Sequence, residues 1–147
     1  MLQKYVDIMK NFRKYMTVLN KNSGVNDKYF HCSSLIKNNQ LFYIGINSKN
    51  KTKRSLHAEV AAIDHENIIK KRREICDIIV IRISEKNEKL SESRPCKNCI
   101  MYMYYNKKYK IKNVIYSTKD GSLKSEKLNN MIANINTAFI TTNKTSK

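Results

Sequence analysis

Two short segments of this chain carry residue types that can do chemistry at a metal. His57-Ala58-Glu59 sets an imidazole two positions from a carboxylate, and Pro95-Cys96-Lys97-Asn98-Cys99 sets two thiols three apart. Zinc prefers imidazole and thiolate ligands in tetrahedral geometry, and a catalytic zinc keeps one position open for water. His57, Cys96 and Cys99 supply three ligands. Residues three apart at a helix start can face one point, and a helix N-terminus favours thiolate over thiol. Glu59 need not ligate. A carboxylate there can take a proton from water and return it to a leaving group. Each part alone has plainer readings: a CxxC is also half of a structural zinc site, a redox pair or two core thiols. Together, at two predicted helix starts, they point to one metal centre.

The elements that must position these residues can be read from periodicity. Leu2, Tyr5, Val6, Met9, Phe12, Met16 and Leu19 recur at helical spacing, so residues 2–20 read as an amphipathic helix that Asn22-Ser23-Gly24 ends. Two strands follow, over 30–37 and 41–46, joined by a tight hairpin at Asn38-Asn39-Gln40. Residues 47–54 form a cationic loop, and Ser55 is read as the N-cap of a helix through Lys71. Cys76 to Ile83 reads as a buried strand and 84–94 as charged loop. Pro95 opens a second core helix through about Lys108, residues 113–117 form another strand, and Asp120-Gly121 marks a two-residue turn. A short antiparallel strand at 123–126 is expected after it. Leu128, Met131, Ile132, Ile135 and Phe139 then suggest a terminal helix. This order gives a mixed sheet flanked by helices.

The 147 residues suit one domain with one core, and 41% apolar composition is that of a globular chain. The expected layout is a single domain over 1–147: an N-terminal helix at 1–20, a catalytic core at 30–121 and a C-terminal element at 122–147. A net charge of +17 invites a nucleic-acid partner. Yet 23 Lys, 18 Asn and 18 Ile, all encoded by AT-rich codons, make up 59 of the 147 residues. Compositional drift explains the charge as well as a polyanionic partner does. No segment reads as a signal peptide or a membrane span. Four cysteines (Cys32, Cys76, Cys96 and Cys99) then suggest reduced thiols and a cytoplasmic location.

H-A-E followed by P-C-x-x-C resembles the signature of the zinc-dependent cytidine, deoxycytidylate and tRNA-adenosine deaminases. The likeness extends over His57 to Ile63, then 31 residues, then Pro95 to Cys99 with Met103 four beyond. Gly45-Ile46-Asn47 is similar to the family's G-x-N, where the Asn contacts the sugar, and Val114 to Ser117 to its fourth strand. The resemblance covers roughly 30–121. It implies an α/β fold of three α-β-α layers, a Zn2+ cofactor, and hydrolytic attack at the amino-bearing carbon. Glu59 would protonate the ring nitrogen and then the departing ammonia. By the same likeness Asn47 would contact the ribose, and the backbone around Ala58 and Cys96 the base. A fifth strand antiparallel to the fourth resembles the enzymes for free nucleosides, and a parallel one the polynucleotide editors.

Other residues weigh less. His65 lies about 12 Å along the helix from His57, too far to share a metal, and is read as a surface residue. His31, Cys32 and Cys76 fall in strands and are read as buried. Tyr102, Tyr104 and Tyr105 read mainly as helix packing, with base stacking the alternative. Lys70 to Arg73 read as a solvated helix end. Lys51, Lys53, Arg54 and Arg94 flank the two motifs and are candidate phosphate contacts. The leading function is deamination of a cytosine base to uracil in a free nucleoside or nucleotide, with deoxycytidylate slightly favoured. A polynucleotide deaminase, whose partner is tRNA, RNA or single-stranded DNA, is the second reading. A catalytically silent nucleic-acid-binding module is the third, and Glu59 argues against it. Assembly into a homo-oligomer is left open.

Overall fold

The computed structural model describes residues 2–19, 29–46, 48–49, 55–65, 72–84 and 86–135; Asn47, Lys51, Lys53 and Arg54 fall outside these segments. In chain order the elements are α1 (Gln3–Leu19), β1 (Tyr29–Lys37), β2 (Gln40–Ile46), β3 (Ser48–Lys49), β4 (Ser55–Leu56), α2 (Ala58–Ile63), β5 (Glu74–Ser84), β6 (Leu90–Ser91), α3 (Lys97–Tyr105), β7 (Tyr109–Ser117) and β8 (Leu123–Lys127). Residues 128–135 form a further helix, α4. The main sheet runs β2-β1-β5-β7-β8, with β6 paired to the end of β5. Only β5 and β7 are parallel, joined through α3. Strands β3 and β4 make a separate antiparallel pair.

Alternation along the strands sends side chains to two faces. On one face Cys32, Ile36, Ile79, Ile81 and Ile83 bury against Tyr5, Val6 and Met9 of α1. On the other, Leu35, Ile78, Val80, Val114 and Tyr116 bury against Ile63 of α2, Ile100 and Met103 of α3, and Leu128, Met131 and Ile132 of α4. The result is three layers, α-β-α, around a mixed sheet. Among the described residues, no helix is long and apolar enough to cross a membrane.

Local chemistry explains the boundaries. Asn38 and Asn39 take φ of 54° and 61° in the β1–β2 turn, the left-handed pair that a two-residue hairpin requires and that Asn tolerates. The Asp120-Gly121 turn is one residue longer than expected. Thr118 N–H donates to the Ser122 carbonyl, Gly121 N–H donates to the Thr118 carbonyl, and Gly121 sits at φ 87°. That is a three-residue loop closed by a left-handed glycine. The strand expected beyond it is present as β8, antiparallel to β7.

Several boundaries differ from the sequence expectations: α3 ends at Tyr105, β7 starts at Tyr109, and the short strands β3 and β6 lie in expected loops. Three more bear directly on the site. Ser55 pairs with Lys49 in the β3–β4 ladder, so it does not cap α2; His57 occupies the N-cap. Helix α2 stops at Ile63, with Asp64 as C-cap, well short of Lys71. Pro95 lies before the N-cap Cys96 of α3 and is not the first helical residue.

Gly45 sets how closely α2 approaches the sheet. A Cβ there would stand 2.4 Å from Ala62 N, 2.7 Å from Ala58 O and 2.9 Å from Ala61 C. All three are backbone atoms of α2, which cannot yield as a flexible side chain would. Gly45→Ala is therefore expected to cost more than about 2 kcal/mol, a fall of about 5 °C or more in Tm for a chain of this size. An unchanged thermal melt would refute this close approach.

Candidate active site

Both chemistry-bearing segments begin a helix on the same face of the sheet. His57, the N-cap of α2, has φ −71° and ψ 147° and makes no side-chain cap hydrogen bond. Its imidazole is thus not spent on the orphan N–H groups that N-cap side chains usually satisfy. Ala58 and Glu59 are the first two helical residues and both are buried. Cys96 repeats the pattern on α3, with φ −70°, ψ 165° and no side-chain cap bond. Cys99 is the third helical residue, and N-cap and N3 side chains are neighbours in space. That adjacency is the physical content of the CxxC spacing.

The starts of α2 and α3 bring His57, Cys96 and Cys99 together, with all their ligand atoms within 4.8 Å of one another. His57 Nδ1 lies 2.9 Å from Cys99 Sγ and 3.6 Å from Cys96 Sγ. A tetrahedral zinc, about 2.0–2.1 Å from nitrogen and about 2.3 Å from sulphur, sets such edges at about 3.6 Å. The donor set suits zinc: the His57–Cys96 separation equals such an edge and the His57–Cys99 separation is shorter, and three protein ligands are the number a catalytic zinc takes. Burial pushes the Cys99 thiol well above its ordinary range, and Glu59 and Cys96 push the same way. A divalent cation at this point reverses that preference, since a coordinating thiol is deprotonated.

Two contacts hold the helices in this relation. Tyr102 of α3 donates a short hydrogen bond to Asp64 at the end of α2, and Lys108 Nζ lies 3.5 Å from the same carboxylate. Ahead of α3, the Ser93 hydroxyl lies 2.7 Å from both the Val80 carbonyl and Ser117 Oγ. Ser93 N–H also donates to the Ser117 carbonyl at 2.9 Å. The segment leading into Pro95 and Cys96 is thereby pinned across β5 and β7.

A cleft of about 250 Å3 opens beside His57 and Cys96, lined by His31, His57, Glu59, Ser93, Arg94, Pro95 and Cys96. Arg94 stands at its rim, its Nε 3.2 Å from Glu126 Oε2 on β8, an oxygen that also accepts a hydrogen bond from the Tyr116 hydroxyl at 2.5 Å. His31 was expected to be a buried strand residue; it is half-buried and faces the cleft. Burial holds its imidazole below the ordinary histidine range, and its electrostatic coupling to Arg82 and His57 acts in the same direction. Cys32 and Cys76 are buried, as expected, and all four cysteines are free thiols.

Two further expectations change. His65 is not a surface residue: it stacks on Tyr43 with centroids 4.3 Å apart and sits 2.9 Å from the Tyr109 hydroxyl. Tyr104 and Tyr105 are exposed and pack on each other rather than on the sheet, while Tyr102 is half-buried. Asn47, Lys51, Lys53, Arg54, Lys70 and Lys71 lie outside the described residues.

Purified protein is expected to carry one zinc per chain and to lose it on Cys96→Ser plus Cys99→Ser. Chelation should lower Tm, because the metal crosslinks two helix starts. Metal analysis and thermal melts check both; full occupancy in the double variant would refute the ligand set.

Comparison with known proteins agrees with this geometry. No curated protein matches the chain significantly. Among solved structures, the 1.6 Å crystal structure of cytidine deaminase from Burkholderia pseudomallei is similar, with a TM-score of 0.50 and 18% identity over 69% of this chain and 77% of that one. That likeness is one of fold. The model of the cytidine and deoxycytidylate deaminase zinc-binding region matches residues 9–118, spanning both motifs and the sheet between them. With that match covering most of its length, the chain belongs to the cytidine and deoxycytidylate deaminase zinc-binding family.

Proposed function

We propose that this chain deaminates the cytosine base of a free nucleoside or nucleotide, with a monophosphate such as deoxycytidylate favoured. The observation that carries the reading is the placement of Glu59 in the same cleft as His57 and Cys96. A purely structural zinc site has no use for a buried carboxylate beside it.

His57, Cys96 and Cys99 would hold the metal. When bound, zinc supplies Lewis acidity that makes water a nucleophile near neutral pH. Glu59 moves the protons. It takes one from the attacking water, passes it to the ring nitrogen, and delivers another to the amine that leaves as ammonia. The sum is water in and ammonia out, with the C–NH2 of the ring becoming C=O. Ala58, wholly buried at the first turn of α2, presents backbone to the base in this reading, and Asn47 the side chain that contacts the sugar. Arg94, at the rim, is the described cation best placed to meet a phosphate, and Lys51, Lys53 and Arg54 are proposed to share that role. The free thiols agree with a cytoplasmic enzyme.

Two features support a free substrate. The cleft is at the small end of ligand sites, and β8 runs antiparallel to β7, the arrangement associated with the enzymes for free nucleosides. A second reading, deamination within a polynucleotide, is favoured by the net charge of +17 and by the exposed Tyr104 and Tyr105. Turnover per zinc on nucleosides, nucleotides and oligonucleotides, at about 0.15 M salt where weak surface attraction is screened, separates the two. Deamination of an oligonucleotide or tRNA and of no free nucleoside or nucleotide would refute the free-substrate reading.

Glu59→Ala should lower the rate by at least about 10²-fold while zinc content and melting behaviour persist. Retention of more than about a tenth of wild-type activity, well above what loss of a proton shuttle allows, would remove Glu59 from this role.

A further inference from the structure

Alternation along β1 places His31, Ser33 and Leu35 on the face that α2 and α3 cover. Leu35 and Ser33 are completely buried. His31, nearer the open end, emerges half-buried into the cleft beside His57 and Glu59. It lies outside the group that can hold a metal, and no hydrogen bond among the described residues engages its ring. Among the described residues its donor and acceptor positions are therefore free, and the ring opens to the cleft where a substrate would sit.

The other polar groups around the cleft are committed. The Ser93 hydroxyl is held between the Val80 carbonyl and Ser117. Arg94 is turned to Glu126 at the rim. His31 stands opposite Arg82 in the β1–β5 ladder, so the two side chains share a face, and a cationic neighbour favours an electron-rich acceptor at the ring over another N–H. A cytosine ring offers such an acceptor in the carbonyl two ring atoms from the reacting carbon. Adenine carries a C–H at the equivalent place.

We propose that His31 is a specificity residue that donates a hydrogen bond to the ring carbonyl of a pyrimidine base seated with its amino-bearing carbon at Glu59 and the metal ligands. The proposal rests on the deaminase reading above and adds to it a side-chain reason for preferring cytosine over adenine.

The test uses the full zinc-loaded chain as wild type, His31→Val and His31→Gln. Zinc content and Tm are measured first, then KM and kcat on the cytosine substrate that wild type turns over fastest, and calorimetric binding of uridine. His31→Val should raise KM and the uridine Kd about tenfold, the loss expected for one hydrogen bond, with kcat within about threefold and zinc and Tm unchanged. His31→Gln keeps an N–H donor and should recover most of the loss in KM. A KM and Kd within about twofold of wild type in His31→Val, less than one hydrogen bond is worth, would overturn the proposal. So would loss of zinc in both variants, or a fall confined to kcat. Should His31→Val fail to fold, His31→Gln against His31→Asn carries the same comparison, and equal tenfold losses in both would overturn it. Wild-type protein that binds uridine but deaminates no cytosine substrate defeats the deaminase reading and leaves the contact measurable by Kd. Wild-type protein that does neither overturns both.

Discussion

Everything in this molecule depends on two helices starting at almost the same point. The atoms able to hold a metal come from His57 and from Cys96 and Cys99, separated along the chain yet within 4.8 Å in space. The sheet makes this feasible. Parallel pairing of β5 with β7 forces α3 to cross between them, so its first turn lies beyond the carboxyl end of β5, where open α/β sheets place their ligands. Helix α2 reaches the same place from the other side by pressing onto β2, at a separation that only a residue without a Cβ permits. Asp64 and Tyr102 then fix one helix to the other, and Ser93 fixes the approach to α3 onto the strands.

The arrangement has an electrostatic tension built into it. Two sulphurs and the Glu59 carboxylate face one small volume, and burial drives Cys99 toward its neutral thiol. Without a cation, negative charge cannot gather there. With one, the same crowding becomes affinity, because each anionic ligand gains a partner and loses a repulsion. The folded chain therefore supplies a place whose charge state is completed from outside, and the positions that complete it are the first turns of the helices that build the lower core.

Much of this was legible in the residues themselves. The two motifs, their nearness to helix starts, the Asn-Asn hairpin and the turn-back of the chain into β8 follow from local chemistry, though the caps and the turn length do not. The misread features are those that distant partners decide. Ser55 looks like a cap until Lys49 pairs with it. The apolar residues beyond Asp64 suggest a longer helix, yet Asp64 closes α2 and its carboxylate meets Tyr102 and Lys108 from elsewhere in the chain. His65 reads as surface until Tyr43 and Tyr109 enclose it. His31 is the most instructive case. A single histidine in a strand resembles any core residue, and only the strand order reveals that this end of β1 opens onto the cleft.

The sheet ends on β8, whose sequence Leu-Lys-Ser-Glu-Lys is an unpromising one for a strand. An unpaired edge invites pairing with another chain, and proteins guard against it with short, charged edge strands. Lys124, Glu126 and Lys127 in a five-residue strand answer that description. Weak strand propensity at this position discourages runaway strand addition, so the segment least suited to start a sheet is well suited to finish one. Among the described strands, that edge therefore favours the separate folded chain over strand addition by another copy.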